Sequence, residues 1–482
     1  MLKSNVIFRD YESFGYITDN RNFGYKYTND TQTDIGDKIL SESGLIFLSV
    51  LKNQPQSLDS LVGEILKKFN NVSTCTLMND AFEFYCYLER DGFIVSGDTF
   101  ENCKQRDQTS FKNFKSDLNY IEENSSKKHS IDTTQDFFEK YYNGKRQLTN
   151  LHIEIISKCN ERCVHCYIPH KYKKTFLDPH IFYNILEQCR EMKLLHITIS
   201  GGEPMLHKNF CDFLIMCNDY NFSINILSNL TLLNEEILSE MKRNPLLSVQ
   251  VSLYSMDSEI HDGITQVKGS FEKTMKAIQK LVDNNVPLQI SCPIIKQNKD
   301  SFGDVIEWAK RLHINVGVDY NVIGSYDHTT NNLDCRLSLD DVSELTKNKS
   351  SKEREDAEKQ IKQTARKNTV SLDDYVCSVG HSSICIADNG KVYPCAGWQS
   401  CVVGDVKTTP LKEIWENSKK LNYLRGLRNR NFKKCISCQD KEFCVMCMVR
   451  NANENSKGDP LVVNKFFCEI AKLKREIALM SL

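Results

Sequence analysis

The stretch that decides the fold reads LHIEIISKCNERCVHC, from Leu151 to Cys166. An apolar run ends at Ser157-Lys158, and three cysteines follow as Cys159-x3-Cys163-x2-Cys166. The pattern predicts a strand over 150–156 with three thiols on the loop at its C-terminal end. Three thiolates can hold three irons of a cubane cluster, where full ligation would use four. The fourth iron is then open to a small ligand. Zinc favours four closed ligands and paired Cys-x2-Cys spacings, so a lone three-cysteine loop suits it poorly.

Outward from this loop, strands and amphipathic helices alternate. Strands are expected at 150–156, 195–200, 223–228, 248–253, 287–293 and 315–321. The helix starting at Pro179 should place Ile181, Ile185, Leu186 and Cys189 on one face. Such repeats imply a parallel α/β sheet. Their length is short of the roughly 250 residues of a full eight-fold barrel, so a partial (β/α)6 TIM-like barrel is expected over 148–330, with its chemistry at the C-terminal ends of the strands. The second strand runs into Gly201-Gly202-Glu203-Pro204, a turn in which glycines permit close backbone approach.

The cysteine loop and this turn, one strand apart, resemble the radical S-adenosylmethionine (radical SAM) enzymes. The resemblance implies a SAM-binding [4Fe-4S] cluster on Cys159, Cys163 and Cys166. It implies SAM contacts from Gly201, Gly202, Glu203 and Pro204. His165 stands where an aromatic residue near the adenine is usual. Ser228, Asn229 and Ser252 lie at strand ends expected near the ribose and methionine carboxylate. Tyr254, Asp257 and Asp319 are further strand-end polar residues, placed either to reach the cavity or to serve structural roles. No general acid or base is named by the sequence.

The chain has 20 cysteines in 482 residues, and nine crowd its last quarter. There Cys377 and Cys395 precede Cys435-x2-Cys438-x5-Cys444-x2-Cys447, and Cys468 follows. This resembles the SPASM domain, an extension with auxiliary [4Fe-4S] clusters, here over 377–482. The last pair often has three intervening residues, and here it has two. The resemblance implies one cluster on Cys435, Cys438, Cys444 and Cys468, and another on Cys377, Cys395 and Cys447. Cys385 is the first candidate for a fourth ligand. Cys401 or an open iron are the alternatives. Paired Cys-x2-Cys spacings also suit structural zinc.

Residues 1–105 combine strand-like pieces (5–8, 14–17 and 93–95) with three helical patterns. Ser41 and Ser57 are expected helix caps. The third pattern carries Ala81, Phe82, Tyr85 and Leu88 and stops at Gly92. This order resembles the winged-helix-like RiPP recognition element, where RiPPs are ribosomally made, modified peptides. The resemblance implies that a leader peptide adds a strand to an exposed sheet edge. Residues 106–147 read as a linker, and 331–376 as a charged, helical bridge, with the run 347–367 a solvated face.

The formal net charge is -1, without the basic excess usual in nucleic-acid binders. Met1–Asp10 is polar and carries no secretory h-region. The longest apolar run, Leu45–Leu51, is far short of a membrane span. A cytoplasmic protein with neither nucleic-acid nor membrane partners is expected, and its thiols point to metal instead of disulfides. The resemblances imply a maturase that uses SAM and three [4Fe-4S] clusters. It would modify a precursor peptide through a 5′-deoxyadenosyl radical, forming a thioether or other crosslink. An external donor such as flavodoxin or ferredoxin would supply electrons. The alternatives are a maturase of a folded protein, of the sulfatase or quinohaem type, and a non-catalytic metal-bound scaffold that captures a peptide.

Overall fold

The computed structural model describes residues 1–19, 26–27, 36–69, 72–109, 111–112, 146–347, 371–377 and 379–479. Most of the expected linker and the charged run from 348 onward lie outside them. Among the described residues, no helix is long and apolar enough to cross a membrane.

The N-terminal region folds as β1 (Ile7–Asp10), β2 (Gly15–Thr18), β3 (Asp37–Leu40), α1 (Glu42–Ser49), α2 (Leu58–Leu66) and α3 (Thr74–Arg90). The antiparallel sheet has the order β1-β2-β3. Ser41 and Ser57 cap α1 and α2, accepting from the backbone N–H of Gly44 and Ser60. Each supplies an acceptor for an otherwise unpaired first-turn donor. The piece 93–95 pairs with the first residues, Lys3 N–H donating to Phe93 and Val95 N–H to Met1. One sheet face packs Ile17 and Leu40 against the helices. α3 buries Ala81, Tyr85 and Leu88. Phe82, expected beside them, is 58% exposed, because the helix turns it away from the apolar stripe.

The other sheet face docks on the barrel. Ile7 and Tyr16, with Tyr11, pack on Leu195 and Leu246, which directly precede two barrel strands. The buried Arg9 guanidinium donates to the carbonyls of Leu194 (2.8 Å) and Asn221 (2.6 Å). The N-terminal domain therefore sits at the N-terminal ends of the barrel strands.

The barrel strands are β4 (Asn150–Ile156), β5 (His196–Gly201), β6 (Ser223–Ser228), β7 (Leu247–Ser252), β8 (Leu288–Pro293) and β9 (Asn315–Asp319). They are parallel and follow chain order across the sheet. The helix Pro179–Glu191 buries Ile185, Leu186 and Cys189 as expected, with Phe182 beside them. Ile181 is only partly buried.

The sheet does not end at β4. β10 (Ser383–Ile386) pairs parallel with β4, placing Ser383 opposite Asn150, and β11 (Lys391–Tyr393) and β12 (Gly404–Asp405) continue antiparallel. The nine strands form one sheet. The sequence offered few core-forming elements in the last quarter, yet Ile384, Ile386, Val392, Trp398, Leu411 and Trp415 share one core with the barrel. A four-residue strand completed by a partner more than two hundred residues earlier leaves little periodic signal.

Candidate active site

The two motifs are stitched together by backbone. Gly202 N–H donates to Ile156 (2.6 Å) and Glu203 N–H to Lys158 (2.9 Å). A Cβ on Gly201 would stand 2.0 Å from the Ile156 carbonyl oxygen, and one on Gly202 2.1 Å from that of Lys158. Gly201 also has φ +145°, which side-chain-bearing residues rarely adopt. The glycines thus let the cysteine loop lie directly on the turn.

Glu203 is fully buried. Its carboxylate accepts from Met205 N–H (3.0 Å), Ser228 Oγ (2.8 Å) and Asn229 N–H (2.9 Å). Burial raises its carboxyl to about 7. Glu203 and Ser228 therefore clamp the ends of β5 and β6 to each other. Pro204 is buried in the short helical turn that follows. Asn229 Nδ2 donates to Asn160 Oδ1 (3.0 Å), and Asn160 Nδ2 to Thr231 (2.6 Å), fixing the cysteine loop from a third strand. Asn160 and Thr231 had not stood out in the sequence.

Cys159, Cys163 and Cys166 are all partly exposed. Burial pushes the Cys163 thiol up, and Glu161, Cys166 and Cys159 around it add to the rise. A thiol whose ionisation its neighbours oppose marks a site that a cation would stabilise. Glu161 Oε2 accepts from the Cys163 thiol (3.4 Å), and the Tyr254 hydroxyl contacts the same sulfur (3.8 Å). His165 meets Tyr254 edge-on, with centroids 5.1 Å apart. Its ring is held well below the usual histidine range, at about 4, by burial. Ser252, at the end of β7, lies beside the Tyr254 hydroxyl. Asp257 has a structural role, capping the helix Ser258–Thr265 through Glu259 and Ile260 N–H. A cavity of about 210 Å³ opens between His165 and Tyr167 on one side and Ser291, Gly317, Asp319 and Asn321 on the other.

Glu154 gave no signal in the sequence. It is buried on β4, accepting from the Tyr167 hydroxyl (3.0 Å) and from Gln399 Nε2. Burial, with the Asp388 charge adding to it, raises its carboxyl to about 8. It links the segment after the cysteine loop to the C-terminal region.

The C-terminal thiols separate into two neighbourhoods. Cys377 is raised to about 11 by burial, then by Cys447 and Cys395. Cys435 is raised to about 11 by burial, then by Cys444, Cys468 and Cys438. Cys435, Cys438, Cys444 and Cys468 line a cavity of about 430 Å³ that Cys377 also borders, so the two neighbourhoods adjoin. Cys385 is buried on β10, with Glu154 and Cys395 as its charged neighbours. Cys401 has Lys420 as its charged neighbour instead.

Among the described residues, no three Cys, His, Asp or Glu side chains close to the spacing one metal ion requires. Zn–S bonds of about 2.3 Å would need sulfurs within roughly 3.8 Å of each other. A cubane spreads its thiolates over separate irons and needs no such close approach of the sulfurs.

Residues 153–309 match the Radical SAM superfamily, and residues 377–439 match the SPASM iron-sulfur cluster-binding domain. The barrel is a radical SAM domain, and a SPASM domain follows it. SAM and iron-sulfur clusters are the cofactors of this combination. The AdoMet-dependent heme synthase of Methanosarcina barkeri is 24% identical over 323 residues, covering 62% of this chain and 90% of that protein. The Bacillus subtilis antilisterial bacteriocin subtilosin biosynthesis protein AlbA is 23% identical over 316 residues, covering 63% and 67%. Among solved structures, Streptococcus suis SuiB bound to its precursor peptide SuiA aligns over 96% of this chain and 100% of that one, with TM-score 0.59 and 16% identity. At that identity the likeness concerns the radical SAM–SPASM fold.

Proposed function

We propose that the protein is a radical SAM enzyme that modifies a ribosomally made precursor peptide, forming a thioether or another intramolecular crosslink. The observation that carries this reading is one chain with a small winged-helix-like domain, a thiol-tipped barrel and two further thiol groups in the C-terminal region whose strands extend the barrel's sheet. Relatives support it: AlbA, the PqqA peptide cyclase of Bradyrhizobium diazoefficiens and the sporulation killing factor maturation protein SkfB are named for peptide products. The SuiB likeness extends through the N-terminal domain, since it covers 96% of the chain.

In this reading Cys159, Cys163 and Cys166 hold the SAM-binding [4Fe-4S] cluster. Cys435, Cys438, Cys444 and Cys468 hold one auxiliary cluster, and Cys377, Cys395 and Cys447 hold a third, with Cys385 as fourth ligand. When bound, SAM and its cluster supply a 5′-deoxyadenosyl radical that takes a hydrogen atom from the peptide. The chain's own residues orient and enclose. Gly201 and Gly202 keep the cradle thin, Glu203 and Ser228 hold two strand ends in register, and His165 and Tyr254 wall the site.

Residues 1–105 act as the leader-binding domain. Among the described residues β3 is one of the two edge strands of its sheet. Lys38 on β3 pairs with Asp91 (2.6 Å) and donates to the Tyr87 hydroxyl (2.9 Å). Phe82 and Tyr87 stand exposed on the adjacent α3. A strand added to β3 would rest on these rings. The test is titration of a candidate precursor peptide, taken from any short reading frame beside this gene, followed by mass spectrometry after anaerobic turnover. Binding lost in Phe82→Glu and a crosslinked product in the wild type support the reading. A peptide that binds equally to both proteins and leaves unmodified contradicts it.

A further inference from the structure

Arg425 is 2% exposed, and a buried guanidinium calls for an opposite charge. Its hydrogen bonds go to neutral acceptors instead. Nε donates to the Gly380 carbonyl (2.5 Å), and Nη1 to the Trp415 carbonyl (2.6 Å) and Asn422 Oδ1 (2.9 Å). Nη2 is buried with no hydrogen-bond partner among the described residues. The guanidinium carbon stands 4.2 Å over the Trp415 ring.

More positive charge surrounds it. Arg428 donates to the Arg425 carbonyl (2.8 Å) and lies 3.8 Å over the Tyr375 ring, on which His381 also packs at 4.0 Å. The Arg146 carbonyl accepts from Trp415 Nε1 (3.3 Å). Burial, then Arg146, Arg425 and Arg428, holds the His381 ring at about 4. The ring is therefore neutral at pH 7 and offers one N–H. Burial, with Arg146 adding to it, lowers Arg425 to about 10, so it keeps its charge. Of the acids close by in the chain, Asp373 pairs with Arg430, Asp374 accepts from Ser371 N–H, and Glu416 is exposed. Among the described residues no carboxylate pairs with Arg146, Arg425 or Arg428.

Arg146 is exposed. With Trp415 it lines a groove of about 1190 Å³ between the β1–β2 turn, the helix Pro179–Glu191 and the segment 406–416. The groove's basic groups are Arg146, Lys193, Lys407 and Lys412, and its acidic ones Asp10, Glu12, Glu191 and Glu416. Arg146 precedes β4 and His381 precedes β10, which is parallel to β4. The arginines therefore sit at the N-terminal ends of the strands, away from the cysteine loop.

We propose that Arg146, Arg425, Arg428 and His381 form an anion site that takes a carboxylate entering from this groove. Guanidinium planes present paired N–H donors that match a carboxylate. Arg146 makes the direct contact, and the buried Arg425 adds its uncompensated charge. An acidic side chain of a peptide and a free small carboxylate share this chemistry. The site is independent of any cluster.

Isothermal titration calorimetry of the full chain with a synthetic oligoglutamate peptide and with sodium citrate, at fixed ionic strength, tests it. Tighter binding of the peptide makes the ligand a peptide carboxylate; citrate binding at least as tight makes it a free one. Arg146→Gln, an exposed change that should not disturb folding, should weaken binding about tenfold. Arg428→Gln should weaken it in the same direction. Lys273→Gln on the barrel's outer surface should change nothing. The bound carboxylate should also raise the thermal midpoint of the wild type, and less that of Arg146→Gln. Neither heat nor a rise in thermal midpoint with either carboxylate overturns the site, as does equal binding by Arg146→Gln and wild type. Inorganic phosphate binding more tightly than both overturns the carboxylate assignment.

Discussion

Gly201 and Gly202 leave no room for any side chain, because the carbonyls of Ile156 and Lys158 stand where a Cβ would go. Gly202→Ala must push the cysteine loop away from the turn. It should cost about 3 kcal/mol, the upper range for overpacking, with SAM affinity falling alongside; the thermal midpoint and equilibrium dialysis of SAM check both. Glu154 gives a second residue-scale expectation. Its carboxyl rises from the ordinary 4.5 to about 8 on folding, so the folded state favours the neutral form. That contribution to stability is full below pH 4.5 and is lost as pH rises through 8. The wild-type thermal midpoint should therefore fall between pH 6 and pH 9 more steeply than that of Glu154→Gln. Equal slopes would remove the buried acid from the account. Nothing in the sequence near position 154 marks this residue, because its partners stand at 167 and 399.

At the scale of elements, the legible features are those whose cause is local. Ser41 and Ser57 could be read as caps because the acceptor and the donors it satisfies lie within three residues. The barrel strands could be read from their own apolar runs, each within a residue or two of its place. β3 and β10 could not, because each is a four-residue piece stabilised by strands elsewhere in the chain. Phe82 reads as core from its spacing and lies outside because α3 buries a narrow stripe. The cysteine groups fell between these cases. Their spacing announced clusters, and the fold brought Cys377, Cys395 and Cys447 together from distant positions. If each group holds its own cubane, Cys159→Ala, Cys377→Ala and Cys435→Ala should each lower iron by roughly four per chain, one cubane's worth. The other two clusters should persist. Zinc in place of iron, or one substitution emptying all three sites, would refute separate clusters.

The whole molecule sets the N-terminal domain and the cysteine loop at opposite ends of the barrel strands. β5 has six residues, so the two ends are about 20 Å apart at about 3.3 Å per residue. A leader on β3 and a core at the barrel mouth need at least about six extended residues between them. Arg9 and the Ile7–Tyr16 contact hold the domain in that position. Arg9→Ala removes the hydrogen bonds to Leu194 and Asn221 and should cost about 3 kcal/mol, the upper range for hydrogen bonds to a charged group. Faster proteolytic release of the N-terminal domain, with unchanged iron, is the expected result; unchanged digestion would mean the apolar contact suffices alone.

The central claim is that the thiols of Cys159, Cys163 and Cys166 and the Gly201–Pro204 turn form a radical SAM centre that acts on a peptide. Chromatographic measurement of 5′-deoxyadenosine tests it most directly, in anaerobic protein given SAM and a strong reductant, with and without precursor peptide. The account predicts 5′-deoxyadenosine from the wild type, more with peptide, and none from Cys159→Ala. No product from iron-loaded wild type, or an equal yield from Cys159→Ala, would contradict it.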